Sequence, residues 1–192
     1  MIRRLYDWTL SLAAHPHALW ALALVSFMES SVFPIPPDIL MIPMILAAPS
    51  RAFLIAGVCL IASVLGGIAG YGIGYFFYDQ IGQPILEALG KGAYAAEFNA
   101  RFNDLGFWPV LIAGLTPFPY KVITIMSGWT GLPLGTFIIT SIVARGIRFF
   151  LVAALLWKFG APIRDFIERR LGLMFALFLA LLAAGFYVLR FL

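Results

Sequence analysis

Five charged side chains stand inside otherwise apolar sequence: Glu29, Asp38, Lys121, Arg145 and Arg148. Each isolated charge at mid-bilayer costs about 2.5–3.5 kcal/mol on insertion scales. Five left unpaired would cost on the order of 12–18 kcal/mol, more than the net stability of about 5–15 kcal/mol usual for a folded domain. They must therefore pair with one another or face water. Arg145 and Arg148 are three apart and share a helix face, and a guanidinium fork grips phosphate oxygens bidentately. Two carboxylates against three cations leave one positive charge over, which suits an anionic headgroup. Glu29 and Asp38 are also the candidates to carry a coupling proton, since burial and a neighbouring arginine pull a carboxyl group in opposite directions. The rival reading of the same five is a fixed ion-pair network that locks helices together.

The sequence around two of these charges repeats. Pro34-Ile35-Pro36-Pro37-Asp38 and Pro117-Phe118-Pro119-Tyr120-Lys121 match Pro34 to Pro117, Pro36 to Pro119 and Asp38 to Lys121. One residue further out of step, Pro49 meets Pro133 and Phe53 meets Phe137. Prolines so closely spaced cannot sit inside an α-helix, because each removes a donor and clashes with the preceding turn. The limb from Asp38 to Ala48 would span about 16 Å, roughly half a bilayer. The pattern predicts two re-entrant helical hairpins, with tips at Pro34, Pro36 and Pro37 and at Pro117 and Pro119. Irregular backbone at that depth must be covered by protein or line a water-filled cavity. Two halves, each with a broken helix and a charge of opposite sign, have the sequence form of a transporter. Asp38 and Lys121 are expected to pair across the pseudo-two-fold axis.

The whole chain suits that setting. Of 192 residues, 62% are hydrophobic and 11% charged, and the mean hydropathy is +0.98; a water-soluble domain carries about 25% charged residues. Uncharged runs cover 8–28, 52–78, 122–144 and 171–189, and about 20 apolar residues cross the hydrocarbon layer. The expected fold is an all-α integral membrane protein forming one transmembrane domain over 1–192. It is an inverted repeat with halves at 28–80 and 105–160, two re-entrant hairpins and about three full crossings. A first helix at 5–27 is weakened at Pro16 and is read as retained rather than cleaved. The crossings fall at 52–78, 134–157 and, as a terminal helix, 171–191. Gly66, Gly70 and Gly74 share one face and predict close helix packing. The 79–104 segment mixes Asp79, Glu87, Lys91, Glu97, Arg101 and Asp104 with apolar residues, and reads as an interfacial connector. One crossing between the hairpins makes them enter from opposite faces. Arg51 and a basic loop at 158–170 (Lys158, Arg164, Arg169, Arg170) put the first hairpin's mouth in the cytoplasm.

Other chemistry is poorly served. The net charge of +4 favours anionic lipids as neighbours, and no basic face exists for nucleic acid. Cys59 is the single cysteine, so no internal disulfide forms. His15 and His17 are two apart and lie on different helix faces, so no metal site is expected. Tyr71, Tyr75, Tyr78, Trp8, Trp20, Trp108 and Trp157 read as packing and interface anchors. No HExxH, GxSxG or Walker A pattern occurs, so neither an enzyme nor a cofactor is expected.

The chain resembles the DedA proteins (the VTT or SNARE-associated domain family), most closely their YqaA-like branch, over roughly residues 20–160. Glu29, Pro34, Pro36, Pro37 and Asp38 are similar to the family's run of a glutamate, four residues, Pro-x-Pro, a small residue and an acid. Gly66, Tyr71 and Gly74 resemble its Gly-Asp-x-x-x-Tyr-x-x-Gly-Arg stretch, with Gly67 and Tyr75 in place of the acid and arginine. Of its Arg-x-x-Pro-x-x-Arg motif only Pro117 is kept: Gly114 and Tyr120 take the arginine positions, and Lys121 is displaced by one. The resemblance implies facing re-entrant hairpins in a bacterial inner (plasma) membrane and translocation of a lipid such as undecaprenyl phosphate or a phospholipid, with a link to the proton-motive force. The expected activity is that of a flippase or scramblase moving a lipid phosphate headgroup. Glu29 and Asp38 would gate or carry protons, and Lys121, Arg145 and Arg148 would neutralise the phosphate. The expected partners are anionic, phosphate-bearing lipids and protons, with a homo-oligomer allowed. The rivals are a proton-coupled transporter of a small solute or ion and a non-transporting, membrane-organising protein.

Overall fold

The computed structural model describes residues 17–32, 36–82, 92–116 and 119–169, with 84 and 88. Seven helices and no strand occur among the described residues. Helix α1 (Ala18–Ser31) continues past the expected end at residue 27, because no proline or glycine interrupts 18–32. Glu29 therefore sits on the last turn of α1. The rest of the expected first helix, 5–16, lies outside the described residues.

Helix α2 (Asp38–Ala47) starts directly after Pro37, whose φ of −64° already suits a first turn and whose missing N–H is no loss there. A short 3-10 turn (Pro49–Arg51) leads into α3 (Ala52–Phe77), and a π turn (Tyr78–Gly82) closes it. Helix α4 (Gly92–Asp104) occupies much of the expected connector and carries the exposed Glu97–Arg101 pair. Helices α5 (Trp108–Leu115) and α6 (Tyr120–Trp129) flank the second break. Thr116 is extended (ψ 165°), as the residue before a proline must be. Helix α6 ends in a Schellman motif: Leu132 N–H reaches the Ser127 carbonyl, Gly131 N–H reaches that of Gly128, and Gly131 takes φ +67°.

Helix α7 (Leu134–Arg169) corrects the expected basic loop at 158–170. The chain stays helical to Arg169 and only kinks at Phe159 (φ −121°). Pro162 is the cause, since it cannot donate to Lys158 and its ring crowds that carbonyl. Among the described residues two helices are long and apolar enough to cross a membrane, Pro49–Phe77 and Leu134–Gly160. The terminal crossing expected at 171–191 lies outside the described residues.

Helix α3 is the centre of the assembly, packed on α1, α6 and α7, while α7 also packs on α5 and α2. The glycine stripe makes this possible. A Cβ at Gly66 would strike the Phe27 backbone, one at Gly74 the Ile125 backbone, and one at Gly128 on α6 the Tyr71 backbone. Two apolar clusters result. The first joins Leu22, Met41, Ile45, Ile55, Cys59 and Phe149. The second joins Val110, Tyr120, Ile123, Leu132 and Phe137. Along both long helices a polar layer, marked by Ser63 on α3 and Arg145 on α7, falls between them.

Candidate functional site: two ion pairs at the helix breaks

Every helix end leaves backbone groups without partners, and here four helix ends border the two breaks. The charges answer that need. Glu29 Oε1 accepts from the Tyr120 amide at 3.3 Å, at the N-terminus of α6, where the helix dipole favours an anion. Asp38 is itself the first residue of α2. At the opposite ends, Lys121 Nζ donates to the Val32 carbonyl at 3.0 Å, at the C-terminal cap of α1. Arg148 Nη1 donates to the Thr116 carbonyl at 2.8 Å, at the C-terminal cap of α5. Each break thus has a carboxylate at its opening helix and a cation on its closing carbonyl.

The same groups pair with each other. Arg145 Nη2 meets Glu29 Oε2 at 2.8 Å, and Arg145 Nε donates to Ser63 Oγ at 2.7 Å. Ser30 Oγ lies 2.7 Å from Ser63 Oγ and 3.2 Å from Glu29 Oε2. The guanidinium rests between two rings, 4.8 Å from the Tyr120 centroid and 4.6 Å from that of Phe149. Tyr120 in turn donates its hydroxyl to Ser141 at 2.6 Å. Arg145 is wholly buried, and its Nη1 has no partner among the described residues. The second pair is more open. Arg148 Nη2 meets Asp38 Oδ2 at 2.6 Å, with the side chains 16% and 22% exposed.

All five sequence-predicted charges therefore gather at the two breaks, but not with the expected pairing. Asp38 binds Arg148 rather than Lys121, because α2 packs on α7 and so brings Asp38 to the arginine face. Lys121 has no carboxylate partner among the described residues. Of the predicted hairpin tips, Pro36, Pro37 and Pro119 lie in the breaks, and Pro37 is buried; Pro34 and Pro117 lie outside the described residues. Sequence reasoning missed Ser63, Ser30 and Tyr120. Ser63 carried a signal, being the single serine or threonine of α3.

Residues 35–158 match the VTT domain. The chain belongs to the VTT-domain (DedA) family. That is a family of membrane proteins of transporter type, not of enzymes, and the two long apolar helices agree with a membrane location. An uncharacterized protein of Haemophilus influenzae is 40% identical over 168 residues, covering 85% of this chain and 87% of its own length. An uncharacterized protein of Histophilus somni is 39% identical over 168 residues with the same coverage. No solved structure matches the chain.

Proposed function

We propose that this VTT-domain protein is a lipid transporter, a flippase or scramblase, that passes a phosphate-bearing headgroup between leaflets along its polar layer while the tails stay in the bilayer. The observations that carry this reading are the partly exposed Asp38–Arg148 pair and Lys121, a cation on the Val32 carbonyl with no carboxylate partner among the described residues. A charge left uncompensated at that depth is costly, and an anionic headgroup such as that of undecaprenyl phosphate or a phospholipid would compensate it. The Arg148 guanidinium, which holds the Thr116 carbonyl with one arm and Asp38 with the other, would take phosphate oxygens in place of Asp38.

Re-entrant hairpins in an inverted repeat are part of the proposal. What supports them is a packing pattern that a two-fold operation would generate. Helix α3 packs on the α1 limb before it and on α6 of the other break, and α7 packs on the α5 limb before it and on α2 of the other break. In this reading α4 lies in the interface, and the bacterial inner membrane is the site of action. Protons are the proposed coupling ion, carried by Asp38 or Glu29.

A specific observation favours a second reading. The Glu29–Arg145 pair is sealed, and Glu29, Lys121 and Arg148 each hold a backbone group at a helix end, as staples in a membrane-organising protein would. Reconstitution separates the two. Purified protein in liposomes carrying fluorescent phospholipids and a polyprenyl phosphate is expected to raise the fraction accessible to an external quencher. Folded protein that moves no lipid would overturn the transport reading, and uptake of a soluble solute instead would favour the solute transporter.

A further inference from the structure

Helices α3 and α7 run antiparallel: Phe53 lies against Phe150 and Trp157, Ser63 against Arg145, and Tyr71 against Phe137. The other helices sort between these two by how they are held. Against α3, α1 and α6 are seated almost backbone on backbone. A Cβ at Gly66 would strike the Phe27 carbonyl, one at Gly70 would meet Thr124 and the Ser30 carbonyl, and one at Gly74 would strike the Ile125 carbonyl. Side chains also tie α1 to α6, with Thr124 donating to the Ser30 carbonyl at 2.9 Å and Lys121 to that of Val32. Against α7, α5 is held by the close approach of Gly114 to Ala144 and by Arg148 on the Thr116 carbonyl, and α2 is held by the Asp38–Arg148 pair. Two bodies result, one of α1, α3 and α6 and the other of α5, α7 and α2.

The seam between the bodies is of another kind. A Cβ at Gly146 would reach only the end of the Leu60 side chain, and one at Gly67 would meet α7 at the rim of the Phe137 ring. Apolar pads close the seam at either end, with Ile55 and Phe149 in one and Ile123 and Phe137 in the other. Between the pads the polar layer crosses the seam through Arg145, on Glu29 and Ser63, and through Tyr120, on Ser141. Side-chain ends change rotamer and slide past one another, whereas backbones interlocked at glycines resist it. The Arg145 tie resists parting for a different reason, since separating a buried pair strands a charge.

We infer that the protein works by rocking these two bodies against each other, the apolar pads parting in turn while Arg145, held on Glu29 and Ser63, stays in place as the pivot. This rests on the transport reading above and makes Arg145 a positioning residue, with no contact to the headgroup. Ser63 and Arg145 lie near the middle of the two apolar spans. A pivot there lets one end of the seam open as the other closes, as passage between leaflets requires.

The test joins cysteine pairs with a short, reducible bis-thiosulfonate in a Cys59→Ala background of the full chain and reads lipid movement in liposomes. Phe53→Cys with Trp157→Cys bridges the bodies at one end, and Tyr71→Cys with Phe137→Cys bridges them at the other. Each bridge is expected to stop lipid movement, with recovery on reduction, so the reduced form of each variant is its own folding control. The first pair is exposed and decides alone if the second does not fold. Tyr78→Cys with Trp129→Cys bridges the end of α3 to α6 within one body and is expected to leave the rate unchanged. Full lipid movement across a bridged seam overturns the inference, and so does its loss on bridging position 78 to 129. A block from one end only puts the pivot at the other end and overturns the role of Arg145. A second measurement needs no lipid movement. The spin-label distance from Phe76→Cys to Ile139→Cys, across the seam, is expected to take two values in nanodiscs, and that from Leu24→Cys to Phe76→Cys, within one body, a single value. If the starting protein moves no lipid, two values across the seam would fell the lipid reading alone, and a single value would overturn the rocking motion as well.

Discussion

Replacing Arg145 with methionine leaves the Glu29 carboxylate buried without its cation and breaks the 2.7 Å bond to Ser63. Breaking a buried pair from one side costs about 3–5 kcal/mol, because the surviving charge is stranded. Glu29→Gln strands Arg145 by the same argument and also weakens the cap on the Tyr120 amide. Independent effects would sum to roughly 6–10 kcal/mol, enough to unfold most small proteins. The double variant Glu29→Gln, Arg145→Met buries no charge. It is expected to be no less stable than either single variant, a coupling on the order of 3 kcal/mol. Unfolding in mixed micelles, followed by tryptophan fluorescence, measures all four corners of the cycle. Losses that add to within about 0.5 kcal/mol would refute the pairing. The half-open Asp38–Arg148 pair, better screened by its surroundings, is expected to give a smaller coupling in the same cycle.

Gly74→Ala is expected to destabilise the protein strongly, since its Cβ would meet the Ile125 backbone, whereas Gly72→Ala has open space and should gain up to about 1 kcal/mol of helix propensity; comparable stabilities for the two would contradict the close packing of α3 and α6. Tyr120→Phe loses the bond to Ser141 but keeps the ring under Arg145, so it should cost about 1 kcal/mol, and Tyr120→Ala clearly more, by the same unfolding measurement. Pro162→Ala restores a donor to Lys158 and should straighten α7 at Phe159. A spin-label distance spanning the kink, from position 150 to position 166, should lengthen, and an unchanged distance would exclude the proline as its cause.

The helices and their breaks were legible in the residue order because their causes are local. Prolines at 36, 37 and 119 end or open a helix wherever they stand, and an uncharged run such as 52–78 specifies α3 to within a residue. The glycine spacing of four was legible for the same reason, since 3.6 residues per turn put Gly66, Gly70 and Gly74 on one face. Local patterns misjudged 158–170, where charge density suggested a loop and the helix carried on through Pro162. The sequence alone also determined that the buried charges must be compensated, because that follows from composition and the price of a lone ion in hydrocarbon. Which charge meets which was decided by the tertiary structure. Arg148 and Lys121 are both cations near a break, and nothing in their sequence neighbourhood distinguishes them as partners for Asp38. The choice depends on α2 crossing α7 and on α6 lying against α3 at Gly74 and Gly128. Those crossings also set how deeply each pair is sealed. The reach of a side chain is a few ångströms, so pairing is a property of helix placement and not of residue order.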